Sequence, residues 1–227
     1  NLLLSRKENL SYGGYFMKKC EEQMVLPLVQ IPESANYSLP DETLLAFYHD
    51  LDERVFWIND EISAYTLNLA HYILKWNRED KDIPIGERKP IKLLIHSPGG
   101  SLDVLGVLYD LIRLSATPII GINMGQAYSA SAMILLACHK RYGLKNSTVL
   151  FHKGSCQGAG GSFEELKSFF DEYQRQVAQL SEIIIERTIF DKEEVEEKMK
   201  SDWYLSAEKC VEKKVYDGII TSIYDLI

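Results

Sequence analysis

From Arg54 onward, short apolar runs of strand length alternate with longer segments whose apolar residues recur every three and four positions. Arg54–Ile58 reads as a strand. Ser63–Trp76 follows with Leu67, Ala70, Tyr72, Ile73 and Trp76 on helical spacing. A charged loop, Asn77–Pro90, leads to a buried strand at Ile91–Ile95. Next come a helix at Leu102–Leu114, a strand at Pro118–Met124, a short apolar helix at Ala130–Cys138 and a strand at Thr148–Phe151. Strands separated by helices are joined by crossovers in one direction, which predicts an α/β core.

Composition narrows the function. The chain has 227 residues, enough for one sizeable domain or a domain with an appendage. Lys and Arg number 25 against 33 Asp and Glu, a formal charge of −8. That balance argues against a nucleic-acid binder or an anionic-membrane binder, which carries a basic face. No apolar run approaches the ~18 residues of a membrane span. Asn1–Leu10 does not read as a signal peptide, because charges follow Leu2–Leu4 at once. A cytoplasmic protein is expected. Cys20, Cys138, Cys156 and Cys210 are scattered, which predicts reduced thiols rather than a disulfide framework or zinc site. The histidines lack H-x-x-x-H spacing, so neither metal nor cofactor is expected.

Residues 1–40 are the least regular part. They hold Gly13-Gly14, Pro27, Pro32, Pro40 and one strand-like run, Met24–Ile31. They read as an arm, either a docking segment through Leu10, Tyr12, Tyr15 and Phe16 or a partly disordered one. At the other end of the chain, Ser162-Phe163-Glu164-Glu165 has the form of a capping box. Leu166, Phe169, Phe170, Tyr173, Val177, Leu180, Ile183 and Ile184 then continue a helical stripe to about Thr188. A helix of that length, roughly 37–40 Å, should project and needs a partner for its stripe, or else is a core helix with a frayed end.

Three places carry chemistry. Ser97-Pro98-Gly99-Gly100 follows a strand and opens a helix, where bare amides and the helix terminus suit a developing oxyanion. Ser129, among Gly125, Ala127, Ala130 and Ala132 at a strand-to-helix turn, has the logic of a nucleophile elbow without the G-x-S-x-G spacing. Gly100 and Ala130 would donate the oxyanion amides. Ser131 is a rival, though it sits deeper in the helix; alternatively both serines cap it. His152 closes the strand Thr148–Phe151 and could act as base, with His96 its competitor. His139 reads as a helix C-terminal cap, while His49 and His71 fall in surface-like helical patterns. Asp202, next to the apolar run Trp203-Tyr204-Leu205 that should be buried, could orient the imidazole, whereas Asp191–Glu197 reads as a solvated helix face.

Together these segments resemble the proteolytic subunit of the Clp protease, a serine peptidase family with a crotonase-like fold. The resemblance rests on S-P-G-G (97–100), G-Q-A-x-S (125–129), K-N-S-x-V-x-x-H (145–152), D-W-Y-L-S-A-E (202–208) and Val215-Tyr216-Asp217-Gly218-Ile219, in the family's order and separation. It implies an α/β core of stacked ββα units over residues 41–227, with a projecting handle helix at about 162–188. By that resemblance Ser129 is the nucleophile, His152 the base, Asp202 its orienter, and Gly100 and Ala130 the oxyanion-hole donors. It further implies a homo-oligomer of two stacked heptameric rings, taking unfolded polypeptides from an AAA+ unfoldase. ATP would be spent by that partner, since this chain has no G-x-x-x-x-G-K-S/T loop.

Where the family usually has S-M-G and H-Q-P, this chain has Ser129-Ala130-Ser131 and His152-Lys153-Gly154. The loop Asn77–Pro90 and the arm are longer than the family's. The residues leave three other readings open: a silent subunit of a mixed ring, a crotonase-type acyl-CoA enzyme, and a Ser–Lys peptidase using Lys140 or Lys153.

Overall fold

The computed structural model describes residues 41–155 and 160–226. The arm assigned to residues 1–40, its run Met24–Ile31, and Cys20 and Cys156 lie outside them.

One seven-stranded sheet organises the chain. Strands β1 (Val55–Ile58), β2 (Ile91–Ser97), β3 (Ile119–Tyr128), β4 (Lys140–Gly143) and β7 (Gly218–Ile219) lie in that order and all pair parallel. Strand β5 (Thr148–Phe151) pairs parallel with β3, and β6 (Trp203–Ser206) pairs antiparallel with β5. Among the described residues the α-helices are α1 (Glu42–Asp52), α2 (Asn68–Glu79), α3 (Leu102–Leu114), α4 (Ala130–Ala137), α5 (Phe163–Arg187), α6 (Lys192–Lys198) and α7 (Ala207–Glu212). This is the mixed α/β architecture that the alternating pattern predicted. No helix among the described residues is long and apolar enough to cross a membrane.

β3 forks the sheet. Its first half, Ile120–Asn123, pairs with β4, and its second half, Gln126–Tyr128, pairs with β5. The register against β2 slips between them: Ile95 faces Asn123, yet Ser97 faces Ala127. Extra residues on one strand bend it and re-aim the side chains beyond the bend. Buried Asn123 holds the fork. Its Nδ2 donates to the Thr148 carbonyl at 2.9 Å and to the Tyr216 hydroxyl at 2.7 Å, and its Oδ1 accepts the Gly125 amide at 2.9 Å. The sequence reading ended this strand at Met124, because Gly125-Gln126 look like a turn; pairing with β5 carries the strand on to Tyr128.

α4 is apolar all round, and every one of its residues is buried between the sheet, α3 and α5. α5 has the predicted capping box. Ser162 Oγ accepts the Glu165 amide at 3.3 Å, and Glu165 Oε2 accepts the Ser162 amide at 2.7 Å. The helix then divides by burial. Phe163, Phe169 and Phe170 are exposed on its first half, while Leu180 and Ile184 are buried on its second. Cys138 and Cys210 are buried and unpaired, and burial pushes both thiols up to about 12.

The loop expected at Asn77–Pro90 begins late, because α2 runs on to Glu79. Asp80 then ties that end down. Arg54 grips its carboxylate through two nitrogens at 2.6 and 2.8 Å, and the Thr117 hydroxyl donates at 2.8 Å. Asp80 is 1% exposed, so this bidentate pair joins the entries of β1 and β3 to the end of α2 inside the protein. The Arg54 guanidinium holds the Asp80 carboxyl below its ordinary value. A depressed carboxyl stabilises fully above its unfolded pKa of about 4, and the contribution is lost as pH falls through the folded value. Asp80→Ala should cost about 2–4 kcal/mol by stranding the part-buried Arg54 and the Thr117 hydroxyl, read as a lower urea midpoint. It should also flatten the acid limb of the stability profile below about pH 4.

Candidate active site

Ser129 joins β3 to α4 at φ 56 and ψ −123. Positive φ is sparsely populated for a residue with a Cβ, and such strain gathers at functional turns. The surroundings hold it there by using up its backbone. The Ser129 amide donates to the Leu150 carbonyl at 2.9 Å, and its carbonyl accepts the Ala132 and Met133 amides at 3.0 and 3.3 Å. Its side chain makes no capping bond to the helix. The small residues had signalled this elbow.

Ser131 is settled differently. It is fully buried, with its hydroxyl 2.9 Å from the Ser97 carbonyl and 2.8 Å from the Tyr128 carbonyl. Its proton is committed to the backbone around the elbow. Neither serine caps α4.

The glycine pair fits against this elbow. Gly99 and Gly100 have φ of +99 and +149. The Ile62 amide donates to the Gly99 carbonyl at 2.7 Å, and the Ser101 amide donates to the Ile62 carbonyl at 2.8 Å. The Gly100 amide takes no part in that bridge. A Cβ on Gly99 would lie 2.7 Å from the Cβ of Ser129, and one on Gly100 only 2.3 Å from the Ile62 carbonyl oxygen. Glycine is required at both positions for the backbones to approach. Ala130, first in α4, keeps an amide with no acceptor inside the helix.

Register supplies the rest. Tyr128 faces Leu150 across β3 and β5, so His152 comes level with the residue after Ser129. Phe151 faces Trp203 across β5 and β6, so the next antiparallel pair is His152 with Asp202. The His152 Nδ1 stands 3.4 Å from Asp202 Oδ1, longer than the 2.7–2.9 Å of a charge-assisted hydrogen bond. Asp202 is 59% exposed at its side chain. The Nε2 of His152 is buried and has no hydrogen-bond partner among the described residues. An apo site often holds such bonds loose until substrate arrives. The arrangement brings a hydroxyl, an imidazole, a carboxylate and two amides into one neighbourhood, which are the parts of an acyl-transfer site.

Several expectations change. Trp203-Tyr204-Leu205 is not a buried run: Tyr204 is 57% exposed, because successive strand residues face opposite ways. His139 is no helix cap; its Nδ1 accepts the Ile119 amide at 3.0 Å. His96 is exposed on β2, with its imidazole against Gly125. Lys140 faces Ile120, nine residues and on the order of 25–30 Å along the sheet from Ser129, too far to serve as base. The sequence reading missed the Ile62 clamp and the Asn123 fork. A polar residue inside the apolar run Pro118–Met124 was the available signal for the fork.

Residues 46–223 match the family model described as Clp protease. The chain belongs to the Clp protease family. The ATP-dependent Clp protease proteolytic subunit of Dehalococcoides mccartyi is 32% identical over 173 residues, covering 75% of this chain and 83% of that one. The proteolytic subunit 2 of Streptomyces coelicolor is 28% identical over 217 residues, covering 93% of this chain and 94% of that one. This Clp-type chain is therefore a peptidase, and the acyl-CoA reading is set aside. Gly100→Ala should lower peptidase kcat by about 100- to 1,000-fold, since its Cβ cannot fit without moving an amide of the site. Ser131→Ala should keep kcat within several-fold and cost about 1 kcal/mol in thermal stability.

Proposed function

We propose that this Clp protease subunit hydrolyses unfolded polypeptides by a Ser129–His152–Asp202 mechanism. Ser129 Oγ attacks the scissile carbonyl while His152 Nε2 takes its proton. The Gly100 and Ala130 amides stabilise the oxyanion. His152 then returns the proton to the leaving amine, giving an acyl-enzyme that water clears by the same route. Asp202, at Nδ1, fixes the tautomer that leaves Nε2 free. The observation that supports this reading is the β3–β5–β6 register, which ends at Tyr128–Leu150 and Phe151–Trp203, next to Ser129, His152 and Asp202, with His152 Nδ1 3.4 Å from Asp202 and its Nε2 unshared. The presence of all three side chains counts against a silent subunit.

The same reading gives the assembly. Residues 41–227 form the peptidase domain in this reading. Exposed Phe163, Phe169 and Phe170 on α5 supply an apolar surface for other copies of the chain. Two stacked heptameric rings, fed by an AAA+ unfoldase in the cytoplasm, would use it. Ser129→Ala and His152→Ala should each lower hydrolysis of a fluorogenic peptide by at least about 10,000-fold without changing native mass. A Ser129→Ala particle that cleaves as the parent does would overturn the mechanism.

A further inference from the structure

His152 stands one residue beyond the last pair of the β5–β6 ladder, Phe151–Trp203, so the register sets it opposite Asp202 without a strand pairing of its own to hold its backbone. Its ring is held weakly. Asp202 approaches only to 3.4 Å from an exposed position, and Nε2 has no partner among the described residues. The chain beyond it is permissive in sequence: Gly154, Gly158, Gly160 and Gly161 lie between His152 and α5. Gly154 has φ +78, a conformation that glycine adopts freely.

Among the described residues, a tether reaches this stretch from α5. The Tyr173 hydroxyl donates to the carbonyl oxygen of Lys153, the residue directly after His152, at 2.9 Å. Tyr173 lies ten residues into the helix, about 15 Å from its start. Its ring stacks on Phe169, with centroids 6.4 Å apart and planes 4° from parallel. A Cβ at Gly154 would come within 3.3 Å of the Tyr173 hydroxyl, so the glycine also leaves the oxygen its room.

We propose that Tyr173 is a positioning residue for His152. By fixing the peptide that leaves His152, it limits the imidazole to the arc that faces Ser129. In this role Tyr173 acts through the Lys153 carbonyl and takes no part in the bond changes. The assignment rests on His152 being that base. A small displacement of a catalytic group lowers turnover steeply while leaving binding largely intact. The tether is solvent-exposed, so the Lys153 carbonyl takes water when it is removed and the fold loses little.

The test compares Tyr173→Phe, which keeps the stacked ring, with His152→Ala, both as the assembled full chain on a fluorogenic peptide. Tyr173→Phe should lower kcat by about 3- to 10-fold with KM within about two-fold. Its melting temperature and native mass should equal the parent's. If His152→Ala remains active, the reading of the base fails. If His152→Ala is inactive and Tyr173→Phe turns over like the parent, the tether alone fails. A rise in KM at unchanged kcat, or activity lost together with native mass, would likewise overturn the positioning role.

Discussion

A ten-residue strand that changes neighbours half-way along is the constraint on which the site depends. β3 lies beside β4 as far as Asn123 and beside β5 from Gln126. Had it stayed with β4, β5 would have no place next to the elbow, and His152 would not come level with Ala130, the residue after Ser129. Buried Asn123 spends both ends of its amide on the changeover. An unsatisfied buried amide is costly, so the three bonds stabilise the forked sheet over a straight one. The elbow is a consequence of the fork. The Ser129 amide bonds to β5 through Leu150, and its positive φ turns the chain at once into the fully buried α4.

Two of the residues by which this chain departs from the usual Clp pattern have physical accounts. Ser131 stands where the family usually has glycine, and its hydroxyl closes onto the Ser97 and Tyr128 carbonyls under the elbow. It replaces empty backbone with a hydrogen-bonded plug and leaves the Ser129 side chain uncapped. Gly154 stands where the family usually has proline. Its φ of +78 is closed to a proline ring, which locks φ near −65°. The path after His152 is therefore this chain's own, and the Tyr173 tether belongs to it.

Much of the fold was legible because apolar periodicity reports burial directly. Leu102–Leu114 and Thr148–Phe151 coincide with α3 and β5 at both ends. The elbow, the glycine turn and the capping box were legible because each needs residue types that little else explains. β4 was not, since Lys140–Gly143 is a polar run that becomes a strand only by pairing with β3. The late end of α2 was hidden for a similar reason: Asp80 reads as a loop charge until Arg54, twenty-six residues earlier, is brought to it. Asp202 could be singled out from its apolar neighbours, yet only the β5–β6 register sets it opposite His152.

The central claim is that this register assembles one acyl-transfer site around Ser129. The most direct measurement is a crystal structure of the assembled protein after reaction with a fluorophosphonate. The predicted result is a phosphonyl group on Ser129 Oγ, with its free oxygen within hydrogen-bond reach, about 2.7–3.1 Å, of the Gly100 and Ala130 amides. His152 Nε2 should lie on the leaving-group side. An adduct on Ser131, or one on Ser129 whose oxygen points away from both amides, would contradict it.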